Sequence, residues 1–289
     1  MGLNMALNVM DNEWEIVGFD ASSQARERAE AEKVQTVASI DALLDSLDEQ
    51  KILFLSTPAG AITNSIVVDL LKALNEGDVI IDSGNSNFHD SLNNYQLAKK
   101  QGVHFIDCGT SGGMEGARNG ACLMVGGDEE AVKIVEPFFK DLACEDGYLY
   151  SGKAGSGHYL KMVHNGIEYA MMQAIGEGFQ LLEASEYTFD LEKVASVWNH
   201  GSVIEAKLME LAEQSFAQDP HLAEIKGEVD ASGEAKWTIE EALSLDIPVP
   251  TIALSLFVRN QSKISDSFSN KVVASLRHGF GGHAVVKSN

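Results

Sequence analysis

The 289-residue chain has no apolar run approaching the roughly 18 to 20 residues that a membrane helix needs, and no basic stretch followed by an apolar segment opens it. A transmembrane or secreted protein is therefore not expected, and the sequence reads as soluble and cytoplasmic. Cysteine is scarce. Cys108, Cys122 and Cys144 stand far apart in apolar or glycine-rich surroundings, without metal-ligand spacing. That pattern excludes a disulfide framework and a structural metal centre, and it points to a reducing compartment. Basic residues are also few: 21 Lys and Arg stand against 43 Asp and Glu, for a net charge of −22. Such a chain repels nucleic acid and anionic membrane, so neither is expected as a partner. An anionic substrate would need a local basic pocket. No internal repeat or low-complexity segment is visible.

The length suits one large domain or two ordinary ones, and the 45% hydrophobic content is that of a globular protein. Met1 to Leu7 reads as the opening of a helix, with Gly2 permitting close backbone approach. Glu15 to Asp20 reads as a strand ending in an acid, followed by a polar helix from Ser22 to about Lys33. Further apolar strands end at turns: Lys51 to Ser56 at Thr57-Pro58-Ala59-Gly60, Asp78 to Asp82 at Ser83-Gly84-Asn85-Ser86, and Val103 to Asp107 at Cys108-Gly109-Thr110-Ser111-Gly112-Gly113. A helix from Ile62 to Leu74 separates the first two. Strands alternating with helices imply a parallel sheet wound on both faces, with ligands at the carboxyl ends of its strands. Ala121 to Val125 and Gly147 to Tyr150 read as late strands flanking a helix from about Glu129 to Phe139. The pattern then turns helical, over 157–185, 190–200, 203–216, 238–245 and 250–262, with a short helix near 269–277. Residues 217–236, broken by Pro220, Gly227 and Gly233, read as a surface connection. The expected architecture is an α/β dinucleotide-binding domain over 1–153, a Rossmann-like doubly wound sheet, and an all-helical domain over 154–289.

Two features carry chemistry. In a dinucleotide-binding unit, an acid at the end of the second strand accepts hydrogen bonds from the adenosine ribose. Asp20, 18 residues after Gly2, stands near that spacing, although an ordinary strand-end acid fits as well. The stronger feature is the run from Gly155 to Tyr169, a Gly-Ser-Gly entry into a long helix. Lys161, His164, Asn165 and Glu168 follow an i, i+3, i+4, i+7 spacing and share one face, with apolar residues over much of the rest. The stripe offers a candidate base, a candidate acid and polar binders lining a cleft. An internal Lys-Glu pair on a half-solvated helix is the alternative.

With Asp-Ser-Gly-Asn-Ser around Asn85, Ser111-Gly112-Gly113, and the string from Lys161 to Tyr169 in view, the chain resembles the decarboxylating 6-phosphogluconate dehydrogenases. It resembles their short form most, from Met1 to about His283. The resemblance implies oxidation and decarboxylation of 6-phospho-D-gluconate to D-ribulose 5-phosphate in the pentose phosphate pathway and in gluconate utilization. It implies that Lys161 is the base and Glu168 the acid. It implies that Asn85, Ser111, Gly112, Gly113, His164, Asn165, Tyr169 and Arg259 hold the sugar acid. Arg277 and His283 match a tail motif that reaches a neighbouring subunit's site, which implies a homo-oligomer, dimer or tetramer. Met1, Gly2, Asp20, Thr57, Pro58, Ala59 and Asn85 are the cofactor-binding residues it implies. NAD is favoured, because Asp20 opposes a 2′-phosphate where NADP-using relatives carry Asn-Arg-Thr; NADP stays possible, with Arg26 nearby.

The sequence also departs from that family. Met1-Gly2 match only the last two positions of G-x-G-x-x-G, so the first strand is expected to be lacking from the middle of the sheet. Met114 stands where many members have Glu, and Glu205 where Arg is usual. Lys236 lies near a phosphate contact that does not align cleanly. Two rivals stand beside the leading reading. One is a related 3-hydroxyacid dehydrogenase acting on an unphosphorylated acid, against which Arg259, Arg277 and His283 argue. The other is a truncated, non-catalytic remnant that binds a sugar phosphate.

Overall fold

The computed structural model describes residues 1–47 and 49–287; the last two residues of the expected helical domain lie outside them. The chain divides into two compact units, Met1–Asn165 and Gly166–Asn289. The first unit opens with α1 (Gly2–Asp11), β1 (Val17–Gly18), α2 (Ser23–Ala31), β2 (Gln35–Thr36) and α3 (Ile40–Asp45). It continues with β3 (Ile52–Leu55), α4 (Ala61–Leu70), β4 (Val79–Asp82), α5 (Phe88–Lys99) and β5 (His104–Ser111). Then come α6 (Gly113–Asn119), β6 (Ala121–Gly126), α7 (Glu129–Leu142) and β7 (Ala143–Gly152).

Five strands form a sheet in the order β3-β4-β5-β6-β7, and β1 and β2 form a separate parallel pair. Among the described residues β1 and β3 are not paired with each other. Alternation along the central strands builds a core on each face. Val79, Ile81, Ile106 and Cys108 join Met5 and Val9 of α1 and Val132, Val135 and Phe139 of α7 on one side. Leu53, Leu55, Ile80 and Phe105 meet Val67, Leu70 and Leu71 on the other. All four residues of β4 are buried, as a strand covered on both faces requires.

The sheet is mixed, which corrects the expectation of an all-parallel one. β5 and β6 run antiparallel, with Asp107 opposite Gly126 and Ser111 opposite Cys122. The link over 112–120 holds only the short α6, and a parallel crossover needs about a dozen residues or more. The chain therefore turns straight back. β2 and the small helices α3 and α6 carry too little periodicity to be seen in the sequence.

The second unit takes its first residues from α8 (Ser156–Glu183), the helix through which the division runs. The division falls later than residue 153 because the first turns of α8 pack on the sheet. At Gly157 an added Cβ would run into Met124 O and would lie 2.6 Å from Asp107 O. Beyond lie α9 (Leu191–Trp198), α10 (Lys207–Gln218), α11 (Glu234–Ser244), α12 (Pro250–Ser262) and α13 (Phe268–Gly281). Phe179, Leu191, Ala195, Met209 and Phe216 form one core here, and Tyr169, Ala235 and Leu256 another. α11 begins inside the connection expected over 217–236, with Glu234 and Ala235 buried, and α13 is longer than expected and buries no residue. No helix among the described residues is long and apolar enough to cross a membrane. The three cysteines are unpaired; burial pushes the Cys108 thiol up to about 12.

Candidate active site

Three alternate residues of β5 meet successive turns of α8. A strand advances about 6.6 Å in two residues and a helix 5.4 Å per turn, so the two stay nearly in step over this distance. Asp107, fully buried, uses one carboxylate oxygen to accept the Gly155 N–H at 2.6 Å and the other to accept the His158 N–H at 2.9 Å. These are N–H groups at the start of α8 that no turn of the helix can satisfy. Gly109 comes next, where an added Cβ would lie 2.5 Å from the Lys161 Cβ. Ser111 follows, its Oγ 3.2 Å from His164 Nε2. The strand thereby fixes the height of Lys161 on its helix.

His164 is the hub of the stripe. Its Nδ1 lies 3.0 Å from Asn165 Oδ1 and 3.4 Å from Lys161 Nζ, and Lys161 and Asn165 are themselves buried. Neutral imidazole donates from one nitrogen only. If Nδ1 carries the proton it donates to Asn165, and Nε2 accepts from the Ser111 hydroxyl. If a charged Lys161 donates to Nδ1, the proton moves to Nε2 and is given to Ser111. The tautomer of His164 thus sets the direction of the hydrogen bond at Ser111.

Behind this stripe, buried His158 holds the Ser91 hydroxyl through Nδ1 at 2.6 Å, and its Nε2 has no hydrogen-bond partner among the described residues. Burial pushes the Asp107 carboxyl above its ordinary value, against the opposing pull of His158 and three backbone donors. Asp82, register partner of Asp107, is equally buried. It accepts the Gly84 N–H at 3.0 Å and the Ser86 hydroxyl at 2.8 Å, folding the turn that leaves Asn85 exposed. Sequence reasoning named neither acid as part of the site. The signal was an acid closing each of two apolar strands just before a Ser or Cys and a Gly.

The other strand ends of the first unit are equally ordered. Thr63 Oγ1 donates to Pro58 O at 2.8 Å and lies 2.7 Å from Thr57 Oγ1, which holds the Thr57-Pro58-Ala59 turn. Gly112 and Gly113 take φ of 114° and 62°, values that favour glycine. Gly2 approaches Ser56, and the N-terminus of α1, behind Met1, has no side-chain cap and no acid in its first turn. Asp20 accepts the Ser22 N–H at 2.8 Å, and the Arg26 guanidinium donates to Asp20 O at 2.6 Å. Met114 is exposed, and its carbonyl accepts from Asn4 Nδ2 at 2.8 Å.

In the second unit, Arg259 lies over the buried Tyr169 ring, its Cζ 3.4 Å from the centroid. It donates to Asp230 O at 3.1 Å. Glu168 is half-buried one residue before that tyrosine. Arg277 and His283 are exposed; among the described residues no hydrogen bond or ion pair joins them to Tyr169 or Arg259, and His278 Nδ1 lies 2.8 Å from the His283 carbonyl oxygen. Lys236 turns away to Glu240, 3.5 Å from it. Glu205 accepts the Gly201 N–H at 2.9 Å and so braces its own loop.

Comparison with known proteins gives a consistent result across the chain. Residues 1–152 match the family model for the NAD binding domain of 6-phosphogluconate dehydrogenase, and residues 157–278 that for the 6-phosphogluconate dehydrogenase C-terminal domain. A Bacillus subtilis protein provisionally named 6-phosphogluconate dehydrogenase YqeC is 50% identical over 99% of this chain and 96% of its own length. The NAD(+)-dependent, decarboxylating 6-phosphogluconate dehydrogenase of Haloferax volcanii is 40% identical over 100% of this chain and 96% of its own. Among solved structures, Plasmodium falciparum 6-phosphogluconate dehydrogenase, studied apo, with NADP+ and with 6-phosphogluconate, superposes with a TM-score of 0.84 at 28% identity. The match covers 100% of this chain and 64% of that one.

Replacing Asp107 tests the joint between β5 and α8. Asp107→Asn keeps one acceptor and turns an amide NH2 toward the second backbone N–H, leaving a buried donor unsatisfied. Relief of the buried charge offsets only part of this, and we expect a net loss of about 1–3 kcal/mol in urea unfolding at neutral pH. Unchanged stability contradicts the capping role.

Proposed function

This chain belongs to the 6-phosphogluconate dehydrogenase family, and on that premise we propose that it oxidises and decarboxylates 6-phospho-D-gluconate to D-ribulose 5-phosphate in the pentose phosphate pathway. The observation that carries the reading is the buried Lys161 joined through His164 to Ser111. Lys161 is the base that takes the proton of the hydroxyl at carbon 3. NAD(P) supplies the acceptor for the hydride that leaves the same carbon. Protonated Lys161 then faces the new ketone oxygen and stabilises the negative charge that builds there as carbon dioxide departs. Glu168, seven residues and about 10 Å further along the same helix, returns a proton to carbon 1 of the enediol. Asn85, Ser111, Gly112, Gly113, His164 and Asn165 hold the sugar acid, and Tyr169 and Arg259 take its phosphate end. A dianion needs such a cation in a protein of net charge −22.

The residues present fit a dinucleotide. The uncapped start of α1, with Gly2 set close to Ser56, offers backbone N–H groups and a positive helix end to a pyrophosphate. Met1, Gly2, Thr57, Pro58, Ala59 and Asn85 would line it, with Asp20 at the adenosine ribose. NAD is the preferred form, since the Asp20 carboxylate accepts from a 2′-hydroxyl and repels a 2′-phosphate.

The active form is a homo-oligomer, a dimer or tetramer, in which Arg277 and His283 complete the neighbour's site. The support is α13, which buries none of its residues while Phe268, Leu276 and Phe280 stand 78%, 62% and 79% exposed. Exposed apolar surface on that scale marks a contact face.

Purified protein given 6-phosphogluconate and NAD should release carbon dioxide and NADH in equal amounts, and Lys161→Met should lower turnover by roughly 10² to 10⁴-fold without unfolding. Absence of product from the intact protein, or near-native turnover in the variant, contradicts the reading. The efficiency kcat/KM should be higher with NAD than with NADP; the reverse order removes Asp20 from its role. Mixing inactive Lys161→Met chains with inactive Arg277→Ala chains should restore part of the activity, and no recovery after verified subunit exchange contradicts the shared site.

A further inference from the structure

The loop before α11 holds a buried carboxylate that the proposed chemistry leaves unused. Glu234, in the first turn of α11, is 3% exposed, and its Oε2 accepts the Ser232 hydroxyl proton at 2.6 Å. Ser232 itself is exposed. Its N–H donates to the Tyr169 hydroxyl oxygen at 3.2 Å, and its Oγ lies 3.4 Å from that same oxygen.

A serine hydroxyl has one proton to give. Ser232 gives it to Glu234, so its Oγ can only accept from Tyr169. The Ser232 N–H meanwhile occupies a lone pair of the tyrosine oxygen. The direction of the Tyr169 O–H is therefore set two residues beyond its immediate partner, by the charge on Glu234. That charge is stabilised at the start of α11, where Gly233 supplies no side-chain cap. The ring is held as well: Arg259 lies over its face and is tied to Asp230 O, in the same loop.

The two hydrogen bonds differ in strength, and the difference has a use. At 2.6 Å to a carboxylate, the Ser232 proton is firmly committed; at 3.4 Å, the Tyr169 proton is loosely held. An anion arriving beside Arg259 can take the tyrosine proton at little cost, while Ser232 stays turned to Glu234. We propose that Glu234, acting through Ser232, is a positioning residue that presents the Tyr169 hydroxyl and Arg259 to the phosphate end of the substrate. This rests on the assignment of 6-phosphogluconate above.

The test is steady-state kinetics and calorimetric titration with 6-phosphogluconate on the full chain, for Ser232→Ala, Glu234→Gln and the double variant, with folding checked by circular dichroism. Each single change should raise KM and Kd for 6-phosphogluconate about tenfold while kcat shifts less than threefold. The double variant should be no worse than the singles, because both break one path. Ser232→Thr, which keeps the hydroxyl, should return KM to within about twofold of wild type. A KM unchanged in folded Ser232→Ala overturns the inference, as does a loss confined to kcat or a fully additive double variant. Ser232 is exposed, so its alanine variant serves even if Glu234→Gln misfolds. A wild-type chain that neither binds nor turns over 6-phosphogluconate overturns the functional assignment and this inference together; an active wild type with indifferent variants overturns this inference alone.

Discussion

The geometry of the candidate site depends on how closely the backbone of β5 and β6 approaches the first turns of α8. At Gly126 an added Cβ would meet Asp107 Oδ1 and the Gly157 N–H, each at 2.8 Å; at Gly109 it would meet Gly157 O at 2.8 Å as well as Lys161. Approaches so close are possible only because Gly109 and Gly126 carry no side chain. They leave the helix no room to slide or turn on the strand, and the Asp107 carboxylate then anchors its end. Close packing of this kind shifts between discrete arrangements rather than deforming smoothly. Lys161 thus inherits its position from three glycines and one buried acid that are not part of its own stripe.

Buried polar groups carry the rest of the precision. Asp82 and Asp107 sit side by side on β4 and β5, yet one folds the turn bearing Asn85 and the other caps α8. In the second unit Glu234 plays a comparable part for Tyr169. Each is a charged group that is costly to bury alone and becomes useful once its oxygens are committed to particular donors.

Much of this was legible in the sequence, for identifiable reasons. The strands of the first unit announced themselves because they are covered on both faces and so are continuously apolar, as in Val79 to Ile81. The stripe on α8 was legible because Lys161, His164, Asn165 and Glu168 repeat with the period of a helix among apolar neighbours. The antiparallel return at β6 was not, since it depends on the length of the link over 112–120 rather than on any residue in the strand. Asp107 read as a strand-end acid because its partners, Gly155 and His158, lie some fifty residues away. Glu234 was assigned to a surface connection, where Gly233 looked like a breaker; Gly233 is the N-cap of α11, with φ of 120°.

The central claim is that backbone contact between β5 and α8 sets the position of Lys161. Single-turnover reduction of NAD by a Gly109→Ala variant tests it most directly, because the added methyl would press on the Lys161 side chain and the Gly157 carbonyl of α8 without removing any polar group. If the claim and the proposed reaction hold, the folded variant loses roughly 10² in the rate of hydride transfer, the penalty expected for displacing the proposed base by about 1 Å. A folded variant that transfers hydride at the wild-type rate would contradict it.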